Sequence, residues 1–181
     1  MKQLILIRGL SGSGKTTLAD TICGDNENRF MVSVDDYFVD ENGVYKFNHE
    51  AFKDAHGWCQ KECVEAMEEG FEVIVIHNTF TRKWECEPYM ELALQNGYAI
   101  QVLNLYDGGL SDRELSERGQ HNVPPHVIQK QRKRWDKDVY RDKRPTLNQY
   151  HHPHFNPYHR PRGNYNPNNN RGKFYKRDSR W

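Results

Sequence analysis

Gly9-Leu10-Ser11-Gly12-Ser13-Gly14-Lys15-Thr16 is the stretch from which the rest of the chain is read. It has the spacing G-x-x-x-x-G-K-[ST]. An apolar run, Leu4-Ile5-Leu6-Ile7, precedes it, and Thr17-Leu18-Ala19-Asp20-Thr21-Ile22 reads as the start of a helix. Strand, glycine-rich turn and helix are the context this motif needs. The glycines let the backbone curl so that several N–H groups converge on one concavity, where phosphate oxygens sit. The candidate nucleotide-binding residues are therefore Gly9, Ser11, Gly12, Ser13, Gly14, Lys15, Thr16 and Thr17. Lys15 would reach the β- and γ-phosphates of ATP, and the Thr16 hydroxyl would ligate Mg²⁺. The plain alternative is a glycine-rich turn with no ligand; the correct flanks favour the phosphate site.

Outward from the loop, strands alternate with helices. Strands are expected at 3–8, 30–34, 73–76 and 98–105. Helices are expected at 15–23, 49–69, 82–96 and, after proline in a first turn, 125–141. Phe52, Ala55, Cys59, Cys63 and Met67 recur at steps of three and four and give the second helix one apolar stripe, which Gly70 ends. Ser111-Asp112-Arg113-Glu114 is a capping box that starts a short helix ending near Gly119. The alternation predicts an α/β fold of the P-loop NTPase type, three layers α/β/α around a parallel sheet, with a helical lid. Residues 1–145 make that domain. Residues 146–181 hold many Asn, Pro, Arg, His and Tyr and almost no aliphatics. Such a composition cannot offset its ordering entropy, so a disordered basic tail is expected.

The 181 residues carry a net charge of +1, which hides an asymmetry. From Tyr150 to the end there are seven basic residues and one acid, a tail of +6, which leaves the first 149 residues at −5. Four cysteines, at 23, 59, 63 and 86, show neither a disulfide framework nor a second pair to complete a zinc site, and read as buried thiols. No stretch is apolar enough to span a membrane, and Leu4–Ile7 is too short for a signal sequence. A reducing, intracellular setting, cytoplasmic or nuclear, is the expectation.

Two further features bear chemistry. Asp35 and Asp36 fall where the second strand meets the carboxyl edge of the sheet, the edge outside which ligands of open α/β sheets bind. A carboxylate there can orient an acceptor hydroxyl and take its proton. Leu115 to Pro124 reads as a short helix, a glycine break and a new helix, a lid whose Arg118 would neutralise charge developing on a transferred phosphoryl group. Arg113 competes for that role.

With these residues in place, the first 140 or so positions resemble the polynucleotide kinase family of P-loop phosphotransferases. They look closest to the ATP-binding kinase-like module of some ubiquitin-ligase-binding proteins. The matching pieces are Gly9 to Thr17, Val34-Asp35-Asp36-Tyr37, Ala55-His56-Gly57-Trp58-Cys59-Gln60, Val73 to Thr79, Glu87-Pro88-Tyr89, Asn96-Gly97-Tyr98 and Arg118-Gly119. The resemblance implies that Asp35 is the general base for a 5′-hydroxyl and that Arg118 contacts the ATP phosphates. Two positions depart from the family pattern. His77 stands where an Asp is usual, so Mg²⁺ would rest on Thr16, ATP and water, with help from Asp35. Phe38 stands where nucleic-acid kinases often place an Arg. No Asp-x-Asp-x-Thr phosphatase motif follows.

The expected function is an ATP-dependent phosphotransferase, a polynucleotide 5′-hydroxyl kinase or a related nucleic-acid or nucleotide kinase, with Lys15, Asp35 and Arg118 as its catalytic residues. A small-metabolite kinase is the alternative on the same fold. A nucleotide-binding regulatory module with little turnover is the alternative of another class. The tail interleaves Arg and Lys with Phe155, Tyr158, Tyr165, Phe174, Tyr175 and Trp181, a pattern that suits single-stranded RNA or DNA or, equally, a solvated extension.

Overall fold

A computed structural model describes residues 1–137. Four parallel strands form one sheet: β1 (Gln3–Gly9), β2 (Arg29–Val32), β3 (Val73–Asn78) and β4 (Ala99–Tyr106), in the spatial order β2-β3-β1-β4. Five helices connect and flank them: α1 (Lys15–Cys23), α2 (Phe52–Glu69), α3 (Lys83–Gln95), α4 (Asp112–Arg118) and α5 (Pro125–Lys133). This is the α/β P-loop kinase-like fold expected from the sequence.

The side-chain alternation of β1 and β3 explains the layering. Leu4, Leu6, Ile74 and Ile76 face one way, onto Ala55, Cys59, Cys63, Ala66 and Met67 of α2 and Cys86, Tyr89, Leu92 and Ala93 of α3. Ile5, Ile7 and Val75 face the other way, onto Ala19 and Cys23 of α1. Central strands buried on both faces must be apolar at nearly every position, which is why these runs lack polar alternation. Each fully buried Leu or Ile stabilises the fold by roughly 1.5–3 kcal/mol. A third, smaller cluster joins Leu10 to Leu115 of α4 and Ile128 of α5. It seats the lid helices beside the loop that follows β1.

All four thiols are free and buried, as the sequence predicts. Among the described residues, no cluster of three or more His, Cys, Asp or Glu side chains is placed to hold a metal ion. No described helix is long and apolar enough to cross a membrane.

Three expectations change. β2 ends at Val32, not 34; Asp35 and Asp36 lie in a 3₁₀ turn, Val34–Phe38. α2 begins at Phe52, because Glu50 and Ala51 belong to the turn that feeds it. α5 stops at Lys133 rather than 141. The next residues are captured elsewhere: the Asp136 N–H donates to the Thr81 carbonyl (2.8 Å), and the Asp136 carboxylate accepts from Arg82 and from the Lys83 N–H, both at 3.0 Å. Trp135 lies under the Arg8 guanidinium, 4.0 Å from ring centre to carbon. These long-range contacts outweigh the local preference to continue the helix. The remaining positions of that predicted helix, the domain boundary at 145/146 and the tail lie outside the described residues.

Arg8 is the largest fully buried side chain among the described residues. Its guanidinium donates to the carbonyls of Phe80 and Asp136, at 3.0 Å each, and of Thr81 at 3.5 Å. Burial lowers its pKa, and nearby negative charge offsets part of that. The same edge of the sheet holds three non-glycine residues in the left-handed region: Phe80, Tyr106 and Asn122, with φ of 44°, 46° and 49°. Each costs roughly 1–3 kcal/mol and persists only because its surroundings dictate it.

Arg8→Met should lower stability by ~2–4 kcal/mol, since it removes the donor and leaves buried carbonyls unpaired. Urea unfolding measures this. A midpoint within error of wild type would show that Arg8 ties nothing together. Burial also pushes the Cys59, Cys63 and Cys86 thiols up to about 12 and Cys23 up to about 11. Iodoacetamide at pH 8 should therefore label none of these four in the native protein and all four in urea, as mass spectrometry would read directly.

Candidate phosphate-binding site and its lid

The loop between β1 and α1 is built around Leu10 and two left-handed glycines. The Leu10 carbonyl accepts from the Ser13 N–H (3.1 Å) and from the Lys15 ammonium (3.0 Å). Gly12 has φ +80° and Gly14, which caps α1, has φ +95°. A Cβ on Gly12 would fall 2.0 Å from the Leu115 carbonyl of α4, so only glycine lets the lid lie this close. The first-turn N–H groups of α1 have no intrahelical acceptors, which makes this concavity an anion cradle.

Lys15 starts α1 with its ammonium in the crook of the loop. Burial lowers its pKa to about 8, with Asp35 acting in the opposite direction. Thr16 follows it, half-buried, and Thr17 is already exposed. The Ser11 N–H donates to Gln131 Oε1 and Gln131 Nε2 donates to Ser11 Oγ, both at 3.0 Å, so α5 reads the loop directly. Gly9 sits against Ser13, whose hydroxyl has no partner among the described residues.

The two aspartates part company. The Asp36 carboxylate caps its own turn, accepting from the Ser33 N–H (2.6 Å) and the Ser33 hydroxyl (3.0 Å). Burial raises its pKa, against the pull of those bonds. Asp35 instead faces the site. Its Oδ1 accepts from the Tyr45 hydroxyl at 3.1 Å, and its Oδ2 lies 4.0 Å from His121 Nε2. The backbone at this turn is fixed from β3, where Asn78 Oδ1 accepts from the Val34 N–H at 2.8 Å.

Position 77 holds a buried neutral ring in place of a carboxylate. Val75 and Ile5 show that this face of β3 and β1 looks onto α1, and His77 shares it. Burial and then the Lys15 charge push its pKa down to about 4, and its Nε2 has no partner among the described residues.

Of the two lid arginines, Arg113 is engaged with Glu117 (2.8 Å) at the exposed surface. Arg118, at the end of α4, places Nη2 3.9 Å from where a Cβ on Gly14 would stand. The lid base is anchored by Arg132 of α5, which pairs with Asp107 and Asp112 and donates to the Leu110 carbonyl. The structure therefore gathers Lys15, Thr16, Asp35 and Arg118 at one edge. Tyr45, His121, Gln131 and Arg8 join them without any motif having marked them. Tyr45 and His121 lie in loops, and Gln131 carries no pattern beyond a helical one.

A family model described as an AAA domain matches residues 4–137. The chain belongs to this family. NEDD4-binding protein 2 of Homo sapiens is 36% identical over 126 residues, 69% of this chain. An uncharacterized protein of Pasteurella multocida, PM0531, is 30% identical over 116 residues, 58% of this chain. The chain matches 7% of the length of the human protein and 65% of the bacterial one. Among solved structures, a chain of the Pnkp1/Rnl/Hen1 RNA repair complex superposes with a TM-score of 0.52 at 17% identity, over 74% of this chain and 43% of that one. That likeness is one of fold, and the fold is P-loop kinase-like.

Gly12→Ala should weaken ATP binding at least tenfold while the core stays folded, because the added methyl meets the Leu115 backbone; calorimetric titration beside a thermal melt checks both. The two aspartates should also separate in stability. Asp36→Ala should cost ~1 kcal/mol, the worth of a cap, and Asp35→Asn close to nothing. Equal melting points for the two variants would refute the division of roles.

Proposed function

We propose that this domain is an ATP-dependent phosphotransferase acting on a hydroxyl of a nucleic acid or nucleotide. The observation that carries the reading is the loop itself: left-handed Gly12 and Gly14 let it fold over the Lys15 ammonium, which the Leu10 carbonyl holds at 3.0 Å, while the half-exposed Asp35 carboxylate lies at the same edge of the sheet. The glycine cradle suits a triphosphate. The Thr16 hydroxyl, aided by Asp35, suits a Mg²⁺ ion that keeps most of its ligands as phosphate oxygens and water. When bound, that ion supplies charge neutralisation on the phosphates. In the reaction, the acceptor oxygen attacks the γ-phosphorus and the bond from that phosphorus to the β–γ bridging oxygen breaks. The acceptor proton passes to Asp35, and ADP leaves. Lys15 and Arg118 hold the charge that spreads over the transferring oxygens.

Asp35 suits the proton-accepting role because Asp36 is committed to its cap. Tyr45 occupies one Asp35 oxygen and leaves the other toward the lid. Arg118 suits the charge-holding role because it overlies the start of α1 and Arg113 is engaged elsewhere. A second reading has a specific observation behind it. The neutral ring of His77 replaces a carboxylate beside Lys15, as would suit a domain that binds nucleotide and turns it over slowly.

Phosphate transfer from labelled ATP to 5′-hydroxyl oligonucleotides, nucleosides and small polyols tests the reading. Lys15→Ala should lose both ATP binding and transfer. Asp35→Asn should keep ATP affinity within a few-fold and lose turnover by ~10² or more. Arg118→Ala should cut turnover more than it weakens ADP binding, because its charge is used chiefly in the transition state. ATP binding without transfer to any acceptor, unrescued by His77→Asp, would leave the nucleotide-binding module as the correct description.

A further inference from the structure

One short lid segment, Leu115 to His121, meets the site at two ends. At the phosphate end, the Leu115 carbonyl abuts Gly12 and Arg118 reaches over Gly14. Three residues further on, His121 meets the half-exposed Asp35, with Nε2 4.0 Å from Oδ2. The His121 ring also lies on the Tyr45 ring, with centroids 4.0 Å apart and an interplanar angle of 31°. Tyr45 in turn donates its hydroxyl to Asp35 Oδ1 at 3.1 Å. Burial, and then the Asp35 charge, raise the Tyr45 pKa, so this hydroxyl stays a donor. Two stacked rings from loops far apart in the chain thus bracket one carboxylate, one at each oxygen.

Tight local structure delivers each ring. Tyr45 closes a small hairpin after the 3₁₀ turn. Val39 pairs with it antiparallel, the Asp40 N–H donates to the Val44 carbonyl (3.0 Å), and the Lys46 N–H donates to the Phe38 carbonyl (2.7 Å). His121 sits in the turn between α4 and α5. There the Gly119 N–H donates to the Leu115 carbonyl (3.1 Å), the Ser116 hydroxyl donates to the Val123 carbonyl (2.7 Å), and Asn122 is held at φ 49°. A turn bonded in this way moves as one unit, so Arg118 and His121 reach their places together.

We propose that Tyr45 and His121 are positioning residues for phosphotransfer: their stacked rings latch the lid to the hairpin, and their polar atoms aim the Asp35 carboxylate at the acceptor hydroxyl. The proposal rests on the phosphotransfer reading above. A half-exposed carboxylate without such partners swings about its side-chain torsions. With Oδ1 filled by Tyr45, Oδ2 takes the acceptor proton as the acceptor oxygen bonds the γ-phosphorus and ADP leaves. A lowered lid brings the Arg118 charge and the aimed base at the same moment; a raised lid supplies neither, which spares ATP from attack by water. Misplacing a reacting group by ~1 Å can cost ~10²-fold in rate, so this aim matters.

The test uses the full-length chain, labelled ATP and the best acceptor among 5′-hydroxyl oligonucleotides, nucleosides and small polyols. Hydrogen exchange is read by mass spectrometry on peptides covering 39–47 and 117–124. Tyr45→Ala should speed exchange in 117–124, and His121→Ala in 39–47, by about threefold or more, because each ring holds the other's loop. Both should lower kcat about tenfold or more, with the KM for ATP within about twofold. Tyr45→Phe and His121→Phe keep a stacked ring and lose the polar atom. They should restore protection and leave kcat low, a separation that a merely structural contact would not give. Phenylalanine variants with wild-type kcat overturn the positioning role. So do alanine variants whose opposite loop exchanges as in wild type. Faster transfer in either alanine variant overturns it in the other direction, since the pair would then obstruct the carboxylate. In each of these cases the wild type still transfers phosphate, and the phosphotransfer reading stands. A wild type that transfers to no acceptor overturns that reading and the positioning role together.

Discussion

A single buried guanidinium holds the working edge of this sheet together. Arg8 is the last side chain of β1 before the phosphate loop, and it points into the protein rather than toward ligand. Its donors are spent on the backbone of the β3–α3 connection and of the segment after α5. With the Trp135 ring against its face, the charge is accommodated by carbonyl dipoles and a π cloud. A buried cation is costly unless so surrounded. The arrangement therefore forms as a unit: β1 cannot end where it does unless Phe80, Thr81 and Asp136 are already placed. The next residue, Gly9, starts the phosphate loop from this fixed point.

From there, loop and lid share one foundation. Gln131 bonds Ser11, the Leu115 carbonyl abuts Gly12, and Leu10 packs with Leu115 and Ile128. A shift of α4 or α5 is thus felt at the loop between β1 and α1 without any dedicated relay. The opposite wall is fixed from β3: Asn78 holds the backbone at Val34, and Asp36 ties off its own turn. The Asp35 carboxylate takes no part in that turn and accepts from the Tyr45 hydroxyl instead. The two neighbouring acids are chemically alike and differ only in what the backbone has already claimed.

Most of this frame was legible because its signals are local. The phosphate loop, the capping box at Ser111, the α2 stripe from Ala55 to Met67 and the stop at Gly70 follow local patterns, although Phe52, expected to start that stripe, is exposed. The α1 range agreed in full. The misreadings arose where distant contacts decide. The pattern of residues 125–141 is helical by its own preferences, yet Trp135 and Asp136 are drawn off by Arg8 and Thr81. The strand thought to run to Val34 ends early because Asn78, far along the chain, bonds the Val34 amide. Tyr45 and His121 escaped notice for the same reason: nothing in a loop sequence tells which carboxylate a tyrosine will find. Arg8 drew no reading from the sequence, because its partners are backbone atoms, which leave no trace in side-chain identity.

The three left-handed residues at the working edge have a directional consequence. Where the chain turns at the opposite edge of the sheet, glycine takes the positive-φ positions. At the working edge Phe80, Tyr106 and Asn122 are held in that conformation against their preference. Their conformation is kept by the packing around them, so the shape of the working edge is set by the interior beneath it, and a substitution that loosens that packing would let the backbone at this edge relax.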